Sequence, residues 1–126
     1  MRHFIGYHNS EGMGYSSTTL TEPRIKTKKK VSGLNGATVW LIAGEGKSPK
    51  DYYIASSFIA DTCSMGLYPG TEHPNQISGT GTLYKLKIPI SGTSVLANIQ
   101  QETNNFRNGF HEIKDPSLVS ALEACI

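Results

Sequence analysis

The segment from Thr38 to Asp61, TVWLIAGEGKSPKDYYIASSFIAD, constrains the fold of this chain more than any other. Two runs rich in β-branched and aromatic residues, which favour strands, flank a short stretch that carries Gly46 and Pro49. Glycine and proline suit tight turns, so the segment predicts two antiparallel strands joined by a loop. Neither run alternates cleanly between apolar and polar residues. We therefore expect both faces of this strand pair to be covered, as in a barrel.

The segments on either side predict further strands and loops. Residues 2–8, RHFIGYH, predict an opening strand, and residues 81–92, GTLYKLKIPISG, predict a strand with one wet face. Residues 9–23 predict a long polar loop, and residues 24–34, RIKTKKKVSGL, predict one or two turns of helix that end at a glycine. Residues 62–80 contain several glycines and prolines and predict a second loop.

The C-terminal part of the chain predicts helix. Residues 93–101 suit either a strand or a short helix. The sequence DPSLVSALEAC predicts a helix with Asp115 as its N-cap and Pro116 at its first position. The order of elements predicts a single α+β domain over residues 1–126, a mixed β pseudo-barrel with short flanking helices.

Length and composition narrow the class of protein. A chain of 126 residues is the size of one domain and can bury a core without staples. Its apolar runs are far shorter than the roughly 20 residues of a membrane span, and the run near the N-terminus is too short for a signal peptide. We expect a cytoplasmic protein with no membrane partner. Cys63 and Cys125 are expected to be free thiols.

The sequence carries no recognisable catalytic or metal-binding motif. No histidine lies at a known ligand spacing from another histidine, a cysteine or an acid, so we expect no metal and no cofactor. The GEGKS stretch at residues 44–48 lacks the spacing of a phosphate-binding loop. Ser56 and Ser57 lie within a predicted strand, without the turn that exposes a nucleophilic serine.

Basic residues are concentrated in one segment. Arg24, Lys26, Lys28, Lys29 and Lys30 place five of the twelve basic residues within seven positions. The rest of the chain has seven basic and ten acidic residues, so the cluster is a local feature of a mildly acidic chain. The residues alone allow two interpretations: a solvated face, or a surface that contacts the phosphates of a nucleic acid.

The order of three short motifs resembles the PUA-like superfamily, and most of all its EVE branch. The opening strand leads to Asn9, an apolar strand follows at NGATVWLIAG, and residues Phe106 to Ile113, FRNGFHEI, match a closing F-R-x-G-x-x-x-I pattern. The chain lacks the tryptophan that EVE domains usually carry after the first strand, and it has NGA where they tend to have P-G-D. The resemblance implies a PUA-like (EVE-like) pseudo-barrel with a pocket for a flipped or unpaired base.

Carried over residue by residue, the resemblance implies a base pocket with a basic rim. Asn9 would read the edge of the base, and Arg107 would hold a phosphate or form the pocket floor. The candidates for stacking on the base are Tyr15, Trp40 and Phe106. The candidates for phosphate binding are Lys26, Lys28, Lys29 and Lys30. Stacking, edge reading and phosphate contacts together are what a base held outside its helix requires.

The residues alone leave an alternative open for most of these roles. Trp40 and Phe58 are typical of core residues, and we expect Phe58 to lie in the core. Asn9 could simply form a turn, and Arg107 could pair with a surface carboxylate such as Glu112. If the pocket exists, Asn9 and Arg107 should border one cavity together with at least one of the three stacking candidates.

The sequence therefore predicts a nucleic-acid-binding module, and not an enzyme, that recognises DNA or RNA with or without modified bases. One alternative is a small nuclease or hydrolase subunit that uses His8 or His111. The other is a regulatory domain that docks an acidic protein through the basic cluster. The choice between DNA and RNA, the identity of any modified base and the oligomeric state remain open at this stage.

Overall fold

A computed structural model describes residues 2–29, 33–47, 49–107 and 109–126, with the backbone alone for residues 85 and 86. Its strands are β1 (His3–Asn9), β2 (Arg24–Thr27), β3 (Thr38–Glu45), β4 (Asp51–Ser64), β5 (Asn75–Pro89) and β6 (Phe110–Glu112). Its helices are α1 (Ser10–Met13), α2 (Ser94–Glu102) and α3 (Pro116–Cys125), and Ser17–Thr19 form a short 3-10 helix.

The strands form one mixed sheet in the order β2–β5–β4–β3–β1–β6. β1 runs parallel to β3, whereas the other neighbouring pairs are antiparallel. β3 lies in the middle of the sheet and is buried except at its two end residues. The predicted antiparallel pair is therefore confirmed, with both faces covered along β3 and at Ile54–Ser56 of β4, whereas Ile59 further along β4 is 42% exposed.

Each face of the sheet carries its own apolar cluster. The inner cluster fills the concave side and includes Phe4, Val39, Phe58 and Ile77. Phe58 is 2% exposed, which confirms that it is a core residue. The outer cluster lies between the convex side and helices α2 and α3, with Ile5, Trp40 and Ile42 on the sheet and Leu96, Ile99, Leu118 and Leu122 on the helices. Alternate residues of each strand point to opposite faces, so neighbouring residues such as Val39 and Trp40 enter different clusters.

The sheet curls into a half-barrel. The register shifts between Leu41 and Ile42 and twice along the β4–β5 pair, and such irregularities increase strand twist. The curl brings β2 against β1, although the two strands are not hydrogen-bonded neighbours. A Cβ atom on Gly6 would lie 3.1 Å from Cγ1 of Ile25, so a side chain at this position would press on Ile25 and glycine eases the close approach. A gap remains between the β2 edge and the β6 edge of the sheet.

Two predictions of secondary structure are corrected. The predicted helix over residues 24–34 is wrong where it begins, because Arg24–Thr27 form an edge strand paired antiparallel with the start of β5. Ile25 and Thr27 point inward and are buried, and Arg24 and Lys26 point outward. The predicted loop over residues 62–80 is too long, because β4 continues to Ser64 and β5 already begins at Asn75.

The C-terminal helix is confirmed together with its cap. Asp115 is the N-cap, its Oδ1 accepts a hydrogen bond from the Ser117 amide at 2.9 Å, and Pro116 opens the helix. Residues 93–101, which suited strand or helix, form α2 behind the Thr93 cap. Cys63 and Cys125 are free and half-buried. Among the described helices, none is long and apolar enough to span a membrane.

Candidate functional site

The gap between the two sheet edges holds a cavity of about 260 Å³. One wall comes from the β2 edge and the loop after β4, and the other from the end of β1, helix α1 and the segment that precedes β6. The lining residues are Tyr7, Asn9, Gly12, Met13, Lys26, Thr27, Lys28, Lys29, Glu72, His73, Phe106, Arg107 and Gly109.

The β2 wall is basic and is fixed in place by Asn75. Lys26, Lys28 and Lys29 line the cavity from this side. Asn75 is 4% exposed, and its Nδ2 donates to the Lys29 carbonyl at 2.8 Å while its Oδ1 accepts from the Gly66 amide at 2.8 Å. A single buried amide therefore ties the end of β2 to the loop after β4.

The opposite wall contains a short left-handed stretch. Asn104, Asn105 and Phe106 have φ angles of 54°, 55° and 63°. Asparagine tolerates such angles, but a phenylalanine adopts them only where its surroundings force it to. The Phe106 amide donates to Thr103 Oγ1 at 3.0 Å, and the fully buried Thr103 hydroxyl donates to the Ile99 carbonyl at 2.7 Å. The end of α2 thus holds Phe106 in a costly conformation at the cavity.

Phe106 belongs to a stack of three aromatic rings. Its ring lies 4.1 Å from that of Tyr7, centroid to centroid, and 5.4 Å from that of Tyr52, with interplanar angles of 18° and 15°. Tyr7 crosses the backbone of Gly44, where a Cβ atom would collide with the tyrosine hydroxyl. Burial, and secondarily the neighbouring Tyr52, raise the pKa of Tyr7 well above its usual value. Tyr7 therefore presents a neutral phenol at physiological pH.

Asn9 lies at the end of β1 with its amide orientation fixed by Lys50. The Lys50 ammonium donates to Asn9 Oδ1 at 3.2 Å and also to the Gly46 carbonyl at 3.0 Å. No described residue accepts a hydrogen bond from Asn9 Nδ2. Since an ammonium can only donate, the oxygen must face Lys50, and the NH₂ group remains for a ligand.

The charge of the lining is predominantly positive. Three lysines and Arg107 face a single carboxylate, that of Glu72. Lys28, Lys29 and Arg107 are exposed, and Lys26 is half-buried. In the described part of the chain, Lys26, Lys28, Lys29 and Arg107 form no salt bridge with a carboxylate. These cations remain available to an anionic ligand.

A half-buried polar cluster anchors the loop between α1 and β2 to the sheet. Glu45 Oε1 accepts hydrogen bonds from Ser17 Oγ at 2.6 Å, Ser16 Oγ at 3.0 Å and Lys87 Nζ at 3.1 Å. Burial alone would raise the pKa of Glu45, but the neighbouring donor groups of Ser10, Ser17, Lys87 and Ser16 outweigh it and lower the pKa to about 2. Glu45 is therefore a structural carboxylate that stays ionised.

The two histidines considered as catalytic bases lie outside the cavity lining. His8 is 2% exposed, and its Nε2 lies 2.9 Å from the Tyr15 carbonyl. Burial is the main cause that lowers the pKa of His8, so the neutral ring donates to that carbonyl. His111 lies beside Glu102, with 3.5 Å between Nε2 and Oε1. Among the described residues, no group of three or more metal-ligating side chains occurs.

The structure brings most of the predicted site residues together. Asn9 and Arg107 border one cavity with Phe106, as the base-pocket hypothesis requires, and Lys26, Lys28 and Lys29 line the same cavity. Lys30 lies outside the described residues. The alternative in which Arg107 pairs with a surface carboxylate such as Glu112 is wrong, because Arg107 forms no salt bridge with a described residue and Glu112 pairs with Arg2 at 3.0 Å.

Two predicted stacking residues lie elsewhere. Trp40 is 2% exposed within the outer cluster, and its Nε1 donates to His3 Nδ1 at 3.1 Å, so its assignment to the pocket is wrong. Its strand is central and both faces of that strand are covered, which leaves no open side for a ligand. Tyr15 does not line the cavity either. Its ring contacts His8 edge-on at 5.1 Å and lies 5.6 Å from Lys26 Nζ, behind the basic wall.

Sequence reasoning missed Tyr7, Glu72 and His73 as lining residues. Tyr7 lies two positions before Asn9 on β1, and the period of two along a strand places both on one face. That signal could have identified Tyr7. Glu72 and His73 belong to the loop after β4, and no local pattern indicates which side of the sheet such a loop approaches.

Comparison with protein-family models found no match, and searches of curated proteins and of solved structures found no similar protein above the significance threshold.

Proposed function

We propose that this protein is a nucleic-acid-binding module that takes an unpaired or flipped nucleotide into the cavity between the sheet edges. The observation that carries this proposal is the convergence of four cations from two separate segments on a cavity that also offers an aromatic ring and a free amide NH₂ group. The module binds and does not catalyse. The curled mixed sheet with helices on its convex face supports a PUA-like, EVE-like fold as part of the same proposal.

The size of the cavity suits a single nucleotide. Its volume of about 260 Å³ lies just below the range of roughly 300–1,000 Å³ that is usual for small-molecule sites. A base taken out of its stack loses a few kcal/mol of stacking and pairing energy. Contact with an aromatic side chain returns about 1–3 kcal/mol per base. Phe106, which is already held in place by the end of α2, loses little entropy when a base packs against it.

The cations around the mouth suit the phosphates. Lys28 and Lys29 on one side and Arg107 on the other are exposed at the cavity rim. Contacts between such residues and phosphates set the register of a bound strand and supply much of the affinity, without selecting a sequence. Arg107 can bind a phosphate with two parallel hydrogen bonds, whereas each lysine acts as a point charge.

Asn9 supplies the selectivity in this proposal. Since Lys50 occupies its oxygen, Asn9 offers donors to a ligand and no acceptor. It therefore favours base edges that present ring nitrogens or carbonyl oxygens, such as N7 and O6 of guanine or O4 of thymine and uracil. Replacement by aspartate removes both donors while it keeps the shape, so Asn9→Asp should weaken binding more than Asn9→Ser does.

Salt-dependent binding of short oligonucleotides tests the proposal. Single-stranded and duplex DNA and RNA, with and without modified cytosine and adenine, are titrated against the protein by fluorescence anisotropy at several salt concentrations. We expect the slope of log affinity against log salt concentration to become shallower when Lys28, Lys29 and Arg107 are replaced by alanine. The reduction should be about 0.7–0.9 for each lost phosphate contact. Lys47 and Lys114 are exposed and lie outside the cavity lining. Their alanine variants are the control, and the change in slope for each charge removed should be much smaller than at the rim.

Two outcomes contradict the proposal. In the first, no oligonucleotide binds, or the rim variants bind with the same slope as the control variants. In the second, an acidic peptide of equal charge competes as well as the oligonucleotide does, which would favour the protein-docking alternative.

A further inference from the structure

A second depression lies directly beside the cavity. Its volume is also about 260 Å³, and it shares Gly12, Met13, Lys26, Glu72 and His73 with the first cavity. It adds two residues from the loop after β4, Tyr68 and Thr71. The two spaces therefore form one continuous groove across the β2 edge, with Lys26 as the residue they share at that edge.

Tyr68 is held in a fixed position in this second depression. Its hydroxyl donates to Gln76 Oε1 at 2.9 Å, and its amide donates to the Pro74 carbonyl at 3.0 Å. Thr71 Oγ1 donates to the Tyr68 carbonyl at 2.7 Å. The ring is half-buried and anchored at both ends, as a side chain that receives a ligand without reordering should be.

Lys26 lies at the boundary of the two spaces. Its Nζ is 4.1 Å from the centre of the Tyr68 ring, and no carboxylate among the described residues forms a salt bridge with it. An ammonium over an aromatic face still has N–H donors that point away from the ring and can bind another partner. The position between two adjacent cavities is where the phosphate that links two nucleotides would lie.

We propose that the second depression is a subsite for the nucleotide next to the one held in the first cavity. The flanking base packs against Met13 and against the part of the Tyr68 ring that Lys26 Nζ leaves uncovered, and Lys26 binds the linking phosphate. This inference rests on the proposed nucleic-acid function and adds to it a preference for at least two linked nucleotides in a single strand. Stacking on an aromatic side chain tolerates any base, so the subsite favours single-stranded ligands of any sequence.

The dependence of affinity on ligand length tests this subsite in the intact protein. A nucleoside monophosphate, a dinucleotide and a trinucleotide are titrated by calorimetry. Addition of the second nucleotide should tighten binding by about 5- to 150-fold, which corresponds to one stacked base. A dinucleotide with an uncharged methylphosphonate linkage should lose part of this gain, because it lacks the phosphate charge that Lys26 binds.

Variants of Tyr68 separate stacking from hydrogen bonding. Tyr68→Ala should bind the dinucleotide little better than the monophosphate, with unchanged affinity for the monophosphate. Tyr68→Phe keeps the ring and should keep the gain. If Tyr68→Ala does not fold, the unmodified and methylphosphonate dinucleotides still decide the question with the natural protein.

The outcomes distinguish the two proposals. If no nucleotide of any length binds, the proposed function itself fails. If the monophosphate binds but the dinucleotide binds no more tightly, or if Tyr68→Ala weakens both ligands equally, the nucleotide site remains and the second subsite is wrong.

Discussion

Trp40 and Phe106 belong to the same apolar layer, yet one is enclosed and the other borders the cavity. Both pack in the outer cluster between the sheet and its helices. Trp40 lies on the central strand β3, where neighbouring strands and helices leave it 2% exposed. Phe106 lies beyond the end of α2, at an edge of the curled sheet, and lines the cavity. An aromatic residue is therefore open to a ligand here only where the layer itself ends.

The backbone differs between the two positions as clearly as the burial does. Trp40 lies in regular strand, paired with Ile5 on one side and Ser57 on the other. Phe106 follows two other residues with positive φ, in a conformation that costs of order 1–3 kcal/mol for a residue of this type. The protein thus places regular, favourable structure in its core and concentrates its strain at the cavity. Substitutions in the two regions should differ accordingly.

The largest expected effect is on stability, from the enclosed region. Phe58→Ala removes a ring that is 2% exposed in the inner cluster and should cost about 3–5 kcal/mol of the free energy of unfolding. Urea denaturation followed by circular dichroism measures this change. Oligonucleotide affinity per folded molecule should stay as it was, because Phe58 does not line the cavity. A cost below about 1 kcal/mol would contradict the core assignment.

The same truncation at the cavity should act mainly on binding. Phe106→Ala removes the aromatic surface at the cavity and should weaken oligonucleotide binding by about 1–3 kcal/mol. Its effect on stability should be smaller than that of Phe58→Ala, because the ring is only half-buried. Parallel titration and denaturation of the two variants give both quantities. If Phe106→Ala lowers stability as much as Phe58→Ala and leaves affinity unchanged, Phe106 is a core residue and not part of a site.

Replacement of Phe106 by glycine tests the backbone strain at this position directly. Glycine usually destabilises regular structure relative to alanine, but it adopts positive φ without steric cost. With φ at 63° in the native chain, Phe106→Gly should be more stable than Phe106→Ala, by about 1 kcal/mol. The opposite order would show that this position relaxes out of the left-handed region once the ring is removed.

Much of the enclosed region could be predicted from the sequence, because its signals are local. The β3–β4 pair and the cap of α3 at Asp115 follow from residue types within a few positions of one another. The sequence predicts helix where the edge strand β2 lies, because the partner of β2, the start of β5, is distant in the sequence. The alternation of inward Ile25 and Thr27 with outward Arg24 and Lys26 was present but short.

The cavity could be predicted only in part. The order of motifs indicated Asn9, Phe106 and Arg107, which the fold does bring together. The left-handed stretch could not be predicted, because positive φ at a phenylalanine contradicts its own preference and depends on Thr103. Nor could the place of Tyr68 be predicted, since it depends on how the loop after β4 is tied to β2.

Glu45 lies at the end of β3, where the enclosed region meets the loops near the cavity. Its pKa is about 2 in the folded protein, below the ordinary value of 4.5. A carboxyl group whose pKa is lower in the folded protein stabilises the fold most at pH values above its ordinary pKa of 4.5. This stabilisation is lost as the pH falls from about 4.5 towards 2. The full shift corresponds to about 3 kcal/mol, and residual contact with solvent should reduce this to about 1–2 kcal/mol.

Unfolding experiments at pH 2.5 to 7 measure this contribution. In Glu45→Gln the drop in stability below about pH 4.5 should be smaller, by about 1–2 kcal/mol, than in the natural protein. Glu72→Gln is the matched control, because Glu72 is exposed and forms no salt bridge with another described residue. If Glu45→Gln follows the same pH profile as the natural protein, the carboxylate is not the anchor of the loop around Ser17.

The smallest expected effect is on the fluorescence of Trp40, the only tryptophan in the chain. Its indole is enclosed beneath α2 and α3 and hydrogen-bonded to His3, so its native emission should lie at short wavelength. Saturation of the cavity with an oligonucleotide should leave that emission unchanged, because Trp40 does not line the cavity. Direct quenching by a base would place the indole at the site after all, and the contrast between an enclosed Trp40 and an open Phe106 would then fail.

Introduction of a reporter at the open position, as Phe106→Trp in a Trp40→Phe background, should instead give an emission that responds to each bound base, provided that this chain binds oligonucleotides as measured by anisotropy.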